Sequence, residues 1–197
     1  MKPVDAQHAS FFTGYARRLQ NVLTGADWGP SVRLAEELRA CWQEGRQVFL
    51  CGNGGSAGNA IHLANDFLYG IAKGQGAGMR VHALPANSSV LTCLANDVGY
   101  DSIFSMQLAA QAQKDDVLIA LSGSGNSPNI LRALEQARAL GMRSYAILGY
   151  TGGKAKDLAD VPIHFAVDDM QISEDLQLVV GHMVMQWLLV NPPAPRK

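Results

Sequence analysis

Five short, apolar-rich runs, at residues 48–51, 81–85, 116–121, 143–148 and 161–167, punctuate the chain and are separated by stretches with helical spacing. Runs of this length suit strands buried on both faces. The first leads into Gly52-Asn53-Gly54-Gly55-Ser56 and then an Ala/Asn/Leu-rich stretch that reads as a helix. The third leads into Ser122-Gly123-Ser124-Gly125-Asn126-Ser127-Pro128 and a helix carrying Ile130, Leu131, Leu134 and Ala137. A serine followed by a proline is expected at an N-cap and first turn. Between these units, Ser88 or Ser89 is expected to cap a helix through Leu94, residues 96–101 form a loop, and residues 103–111 resume a helical pattern.

Two leading helices are predicted. Phe11, Phe12, Tyr15, Leu19, Val22 and Leu23 form an apolar stripe over residues 5–23, and Val32, Leu34, Leu38 and Trp42 a second, with Ser31 as its cap. A long helix over residues 172–189 closes the chain before Pro192, Pro193 and Pro195. Strands alternating with helices predict an α/β fold, a doubly wound, mostly parallel five-stranded sheet with helices on both faces. Residues 1–197 read as one domain, with N-terminal helices over 1–45, suited to docking on the domain or on another copy, and an α/β core over 46–190. Ligands in such folds gather at the carboxyl ends of strands, where both Gly/Ser loops lie.

Composition narrows the partners. Hydrophobic residues make up 48% and charged residues 17%, the net charge is -1, and no basic run stands out, which argues against nucleic acid as an electrostatic partner. No apolar run reaches membrane-spanning length and the first twenty residues lack a compact apolar segment, so a cytoplasmic location is expected. Cys41, Cys51 and Cys93 are odd in number and widely spaced in apolar contexts, and are expected to be reduced core thiols.

Neither loop matches a nucleotide-binding pattern. No lysine of the Walker type follows the serines, and the dinucleotide fingerprint is absent after the first strand. A neutral, hydroxyl-rich cradle at a helix start fits a single phosphate on a small molecule. Ser56 can either cap its helix or donate its hydroxyl to that phosphate. His62 and Asp66, four residues apart on the helix, point the same way, as an acid/base pair, as metal ligands or as a surface ion pair. Glu174, Gln177, Gly181 and His182 lie near one face of the last helix, where His182 either has a chemical role or donates to a carbonyl. Asp168 and Asp169 read as a turn before that helix. His82 and His164 are expected to pack or bond locally.

Cys51-Gly52-Asn53-Gly54-Gly55-Ser56, Asn96-Asp97-Val98-Gly99-Tyr100, Ser122-Gly123-Ser124-Gly125-Asn126-Ser127, Gly152-Gly153-Lys154 and the helical His182 together resemble the sugar isomerase (SIS) domain and, within it, the phosphoheptose isomerases. The resemblance implies conversion of sedoheptulose 7-phosphate to D-glycero-D-manno-heptose 7-phosphate, in homotetramers with active sites between subunits. It implies that Ser56, Ser122, Ser124 and Ser127, with the backbone of Gly54, Gly55 and Gly123, hold the phosphate. Asn53 would help position the sugar, and Asn96 and Asp97 would also bind the substrate. Asp66 would be the base and His182 the acid. His62, Asp66, Glu174 and His182 would hold Zn2+, as in some members. Asn65-Asp66 stands where the family has two glutamates, Gly123 where it has threonine, and Glu174 where it has glutamine. Two alternatives are an isomerase for another sugar phosphate and a non-catalytic SIS protein that binds the bacterial replication initiator. The family's sugar-phosphate sensors carry a DNA-binding domain, for which the chain has no room.

Overall fold

The computed structural model describes residues 6–73 and 76–194. Asp5, the middle of the glycine-rich segment 70–78, and Pro195 lie outside the described residues. Two helices, α1 (Ala6–Gly25) and α2 (Gly29–Glu44), precede an alternation of strand and helix. It runs β1 (Gln47–Gly52), α3 (Gly55–Leu68), β2 (Arg80–Ala83), α4 (Ser88–Asp97), α5 (Ser105–Gln111), β3 (Val117–Ser122) and α6 (Pro128–Leu140). It ends with β4 (Arg143–Leu148), α7 (Ala155–Leu158), β5 (Val161–His164) and α8 (Met170–Val190). Neighbouring strands are all parallel, in the order β2-β1-β3-β4-β5.

Because side chains alternate across a strand, each apolar run feeds two cores. Val48 and Leu50 of β1 join Leu34 and Leu38 of α2, Leu63 and Phe67 of α3, and Leu176 and Val180 of α8 on one face. Phe49 and Cys51 join Leu108 of α5 and Ile130, Ala133 and Leu134 of α6 on the other. From β1 the chain moves outward to β2, then returns to β3 on the opposite side of β1. That reversal opens a crevice at the carboxyl ends of β1 and β3. Gly52 pairs with Leu121, so the two Gly/Ser loops leave the sheet side by side.

Several local features depart from the sequence pattern. Helix α2 starts at Gly29, with Pro30 in its first turn and Asp27 Oδ1 accepting the Gly29 N–H at 2.9 Å, so Ser31 lies inside the helix. Asn87, not a serine, caps α4, its Oδ1 accepting from Val90 N at 3.2 Å. That helix runs through Asn96 and Asp97, which are therefore helical rather than in a loop. Strand β2 stops at Ala83 because Leu84, Pro85 and Ala86 form a 3₁₀ turn, where Pro85 has no N–H for a ladder. Strand β5 likewise ends at His164, short of residue 167. His82 and His164 bond locally as expected, to Gln47 Oε1 and to the Tyr150 carbonyl, each at 3.0 Å.

Cys93 is exposed on α4, contrary to the expectation of three core thiols, because α4 buries none of its residues fully. Burial pushes the Cys41 and Cys51 thiols up to about 12, and the bond to Asp97 raises that of Cys93. With an aromatic disulfide reagent at pH 8, the folded protein should therefore release one equivalent of thiolate, more slowly than free cysteine does. Denaturation should release the other two; rapid reaction of all three in the native state would contradict this packing.

A second consequence concerns α3 and α8. A Cβ at Gly181 would run into the Leu63 side chain. Overpacking of this kind costs about 1–3 kcal/mol. Gly181→Ala should lower the urea midpoint accordingly, and an unchanged midpoint would show that the helices have room to part.

Candidate active site

The close crossing of α3 and α8 assembles three side chains that the sequence holds far apart. His62 and Asp66 occupy successive turns of α3, and His182 faces them from α8. The two imidazole Nε2 atoms are 2.9 Å apart, with the rings nearly perpendicular at 77°. Asp66 Oδ2 lies 3.4 Å from His62 Nε2 and 3.6 Å from His182 Nε2. The imidazoles are about half exposed, at 49% and 47%, while the carboxylate is 13% exposed. The constellation is thus held from below and open above. One donor atom from each residue falls within 4.8 Å of the others, which suits a divalent cation with a position left for substrate.

Glu174, also expected at the metal, is placed elsewhere. It lies two turns before His182, and a Cβ on Gly55 would meet its carboxylate, which therefore covers the first turn of α3. Next to it, Gln177 is 1% exposed. Its Nε2 donates to Ser56 Oγ at 3.0 Å and its Oε1 accepts from Asn59 Nδ2 at 2.9 Å. Ser56 is buried and Gly54 occupies the N-cap position of α3, so Ser56 does not cap the helix. An oxygen that accepts from Gln177 still has its own proton to donate.

The serine loop follows the same logic. Ser122 Oγ accepts from Gly125 N at 3.1 Å and Ser124 Oγ from Asn126 N at 3.3 Å. Ser127 stands at the N-cap of α6 with no side-chain cap bond, followed by Pro128. These hydroxyls keep their protons for an anion at the helix start. The third loop, after β4, packs against them. Gly125 has φ +66 and a Cβ there would meet the Gly152 carbonyl, so only glycine fits this contact. Asn126 Oδ1 accepts from Lys154 N at 3.1 Å, and the Gly123 carbonyl accepts from Gly149 N at 3.0 Å.

Asn53, leaving β1, exchanges two 2.8 Å hydrogen bonds with Asn129 of α6 and accepts one from the Tyr100 hydroxyl at 3.0 Å. Asn96 and Asp97 sit exposed at the end of α4, bonded to one another at 2.7 Å. Asp168 is exposed, whereas Asp169 caps α8 through Ile172 N and pairs with Arg18 of α1 at 3.2 Å. Asn59, Gln177 and Asn129 have structural parts that pattern reading assigns to none of them. The available signal is a polar side chain on an otherwise apolar helix face, which is costly to bury unpaired.

A glycine-rich and a serine-rich loop side by side at the switch point of a parallel sheet form the crevice in which folds of this kind bind small ligands. Residues 11–149 match the family model of the SIS domain. Similar sequences include phosphoheptose isomerases of Helicobacter pylori, 39% identical over 70% of this chain and 71% of the relative, and of Burkholderia pseudomallei, 39% identical over 77% of each. The solved phosphoheptose isomerase of Neisseria gonorrhoeae is 28% identical, superimposes with a TM-score of 0.81, and is covered over 96% of its length by 92% of this chain. The chain belongs to the SIS-domain family and, within it, to the phosphoheptose isomerases.

Gln177 is the buried pin between the start of α3 and α8. Removing it leaves Ser56 and Asn59 short of partners, at about 1–3 kcal/mol. Gln177→Ala should show that loss in urea unfolding; equal stability of the alanine variant and wild type would contradict the role.

Proposed function

We propose that the protein interconverts sedoheptulose 7-phosphate and D-glycero-D-manno-heptose 7-phosphate. The observation that carries the reading is the Asp66 carboxylate set beside two imidazoles at the α3–α8 crossing, on the helix that starts at the first Gly/Ser loop. Ketose–aldose interconversion moves one proton between adjacent carbons and another between their oxygens. Asp66 takes a proton from carbon 1 of the ketose, giving an enediol, and returns a proton to carbon 2. His182 serves the oxygens, donating to the one that becomes a hydroxyl and accepting from the one that becomes the aldehyde.

Ser56, Ser122, Ser124 and Ser127, with backbone at Gly54, Gly55 and Gly123, hold the phosphate in this reading. Asn53, Asn96 and Asp97 orient the sugar. His62, Asp66 and His182 are donors of the types zinc takes, and Glu174 would complete the set by turning from Gly55. Bound zinc would supply Lewis-acid stabilisation of the developing enediolate. A non-catalytic role, by contrast, gives no reason to hold an acid and a base in touch.

The protein is further proposed to be a cytoplasmic homotetramer with residues 1–45 as the assembly element. Phe11 and Phe12 of α1 are 70% and 72% exposed, which supports a contact between copies. An exposed thiol at Cys93 suits a reducing compartment, and no helix among the described residues is long and apolar enough to cross a membrane.

NMR of the purified protein with sedoheptulose 7-phosphate should show the aldoheptose product, lost on chelation and restored by zinc. Asp66→Asn and His182→Ala should each lower kcat by about 10²–10⁴-fold with an unchanged unfolding midpoint. Absence of product with and without zinc, or near-normal turnover in either variant, would overturn the assignment.

A further inference from the structure

Asn129 is a 1% exposed amide at the second position of α6, immediately after the serine loop. Its side chain reaches across the crevice to Asn53, the residue that leaves β1 into the first loop. Asn53 Nδ2 donates to Asn129 Oδ1 and Asn129 Nδ2 donates to Asn53 Oδ1, both at 2.8 Å. The Tyr100 hydroxyl, from the loop after α4, donates to the same Asn53 oxygen at 3.0 Å.

This arrangement restricts what Asn53 can offer. An amide oxygen has two lone pairs, and here Asn129 and Tyr100 take both. One N–H of Asn53 is used on Asn129 and one is left. An untethered asparagine turns about its terminal torsion and shows either its oxygen or its nitrogen to a ligand. Asn53 is held to the nitrogen, and so presents a donor. Asn129 also ties the first loop to the start of α6, which sets the distance between Asn53 and the serine loop.

We infer that Asn129 is a positioning residue that acts through Asn53, locking it as a hydrogen-bond donor to a sugar oxygen and fixing the spacing of the two loops. The inference rests on the isomerase reading for its ligand. A buried amide is costly without a partner, and an apolar side chain of equal size would fill the same space. The reciprocal pair gives the amide a purpose that packing does not.

The test is a pair of double-mutant cycles read with sedoheptulose 7-phosphate, by KM and kcat and by calorimetric dissociation constants. Asn129→Leu keeps the volume and removes the pair; it should raise KM and the dissociation constant about tenfold, the loss expected for one well-aligned hydrogen bond. Combined with Asn53→Ala it should add nothing further. Tyr100→Phe, at an exposed ring, should raise KM roughly two- to threefold, and that effect should likewise vanish in the Asn53→Ala background. Inorganic phosphate binding should change little with Tyr100→Phe, which leaves the tie between the two loops in place. Additive losses in the cycles, or a folded Asn129→Leu protein with unchanged KM, would overturn the inference. Should Asn129→Leu fail to fold, the Tyr100 cycle decides, with additivity against it. A wild-type protein that binds the ketose without turnover removes the isomerase reading and leaves the dissociation constants to judge Asn129. One that does not bind it overturns both.

Discussion

Helices α3 and α8 approach so closely that residue 181 has no room for a side chain, since Leu63 fills the space a Cβ would take. Everything at the candidate reaction centre depends on that contact. It brings His182 to within hydrogen-bond distance of His62, 120 residues away in sequence, and lays both against the mostly sheltered Asp66 carboxylate. The contact is held twice, by apolar packing of Leu63 and Phe67 with Leu176 and Val180, and by Gln177 bridging Ser56 and Asn59. Apolar packing sets the distance between the helices. The buried amide sets their register, because its hydrogen bonds form at one offset only.

The second constraint is the reversal of strand order between β2 and β3. It leaves the loops after β1 and β3 side by side, with the loop after β4 stitched to them through Gly125, Asn126 and Lys154. Ser56, Ser122 and Ser124 accept from backbone or amide N–H groups, which leaves each hydroxyl its own proton to donate. A neutral cradle of this kind binds by hydrogen bonds and helix dipole rather than by net charge, in keeping with a chain whose formal charge is -1. The separation of these loops is thus fixed by the protein.

Much of this was legible in the chain. The apolar runs at residues 48–51 and 116–121 mark strands because a strand buried on both faces has no polar side, and the Gly/Ser stretches after them mark ligand loops because parallel strands end there. The i, i+4 spacing puts His62 and Asp66 together without reference to any fold. What the chain did not reveal were relations across space. Nothing near Asn129 or Gln177 names Asn53 or Ser56 as a partner, and nothing near Glu174 says that its carboxylate covers Gly55. Pattern does not single out the cap of α4, because Ser88 and Ser89 are both good caps and Asn87, which makes the bond, is equally good one residue earlier. The apolar neighbours of Cys93 suggest a core thiol, yet α4 lies on the surface and turns it outward.

Solvent exchange at carbon separates proton transfer by Asp66 from mere sugar-phosphate binding. With sedoheptulose 7-phosphate in D2O over many turnovers, the mechanism predicts aldoheptose with deuterium accumulating at carbon 2 for the wild-type protein, as the proton on Asp66 exchanges with solvent, and none above background with Asp66→Asn. A protein that binds the ketose phosphate yet neither forms the aldoheptose nor exchanges the carbon-bound hydrogens, or an Asp66→Asn variant that does both at the wild-type rate, would contradict the assignment of the α3–α8 crossing as the centre of an enediol isomerase.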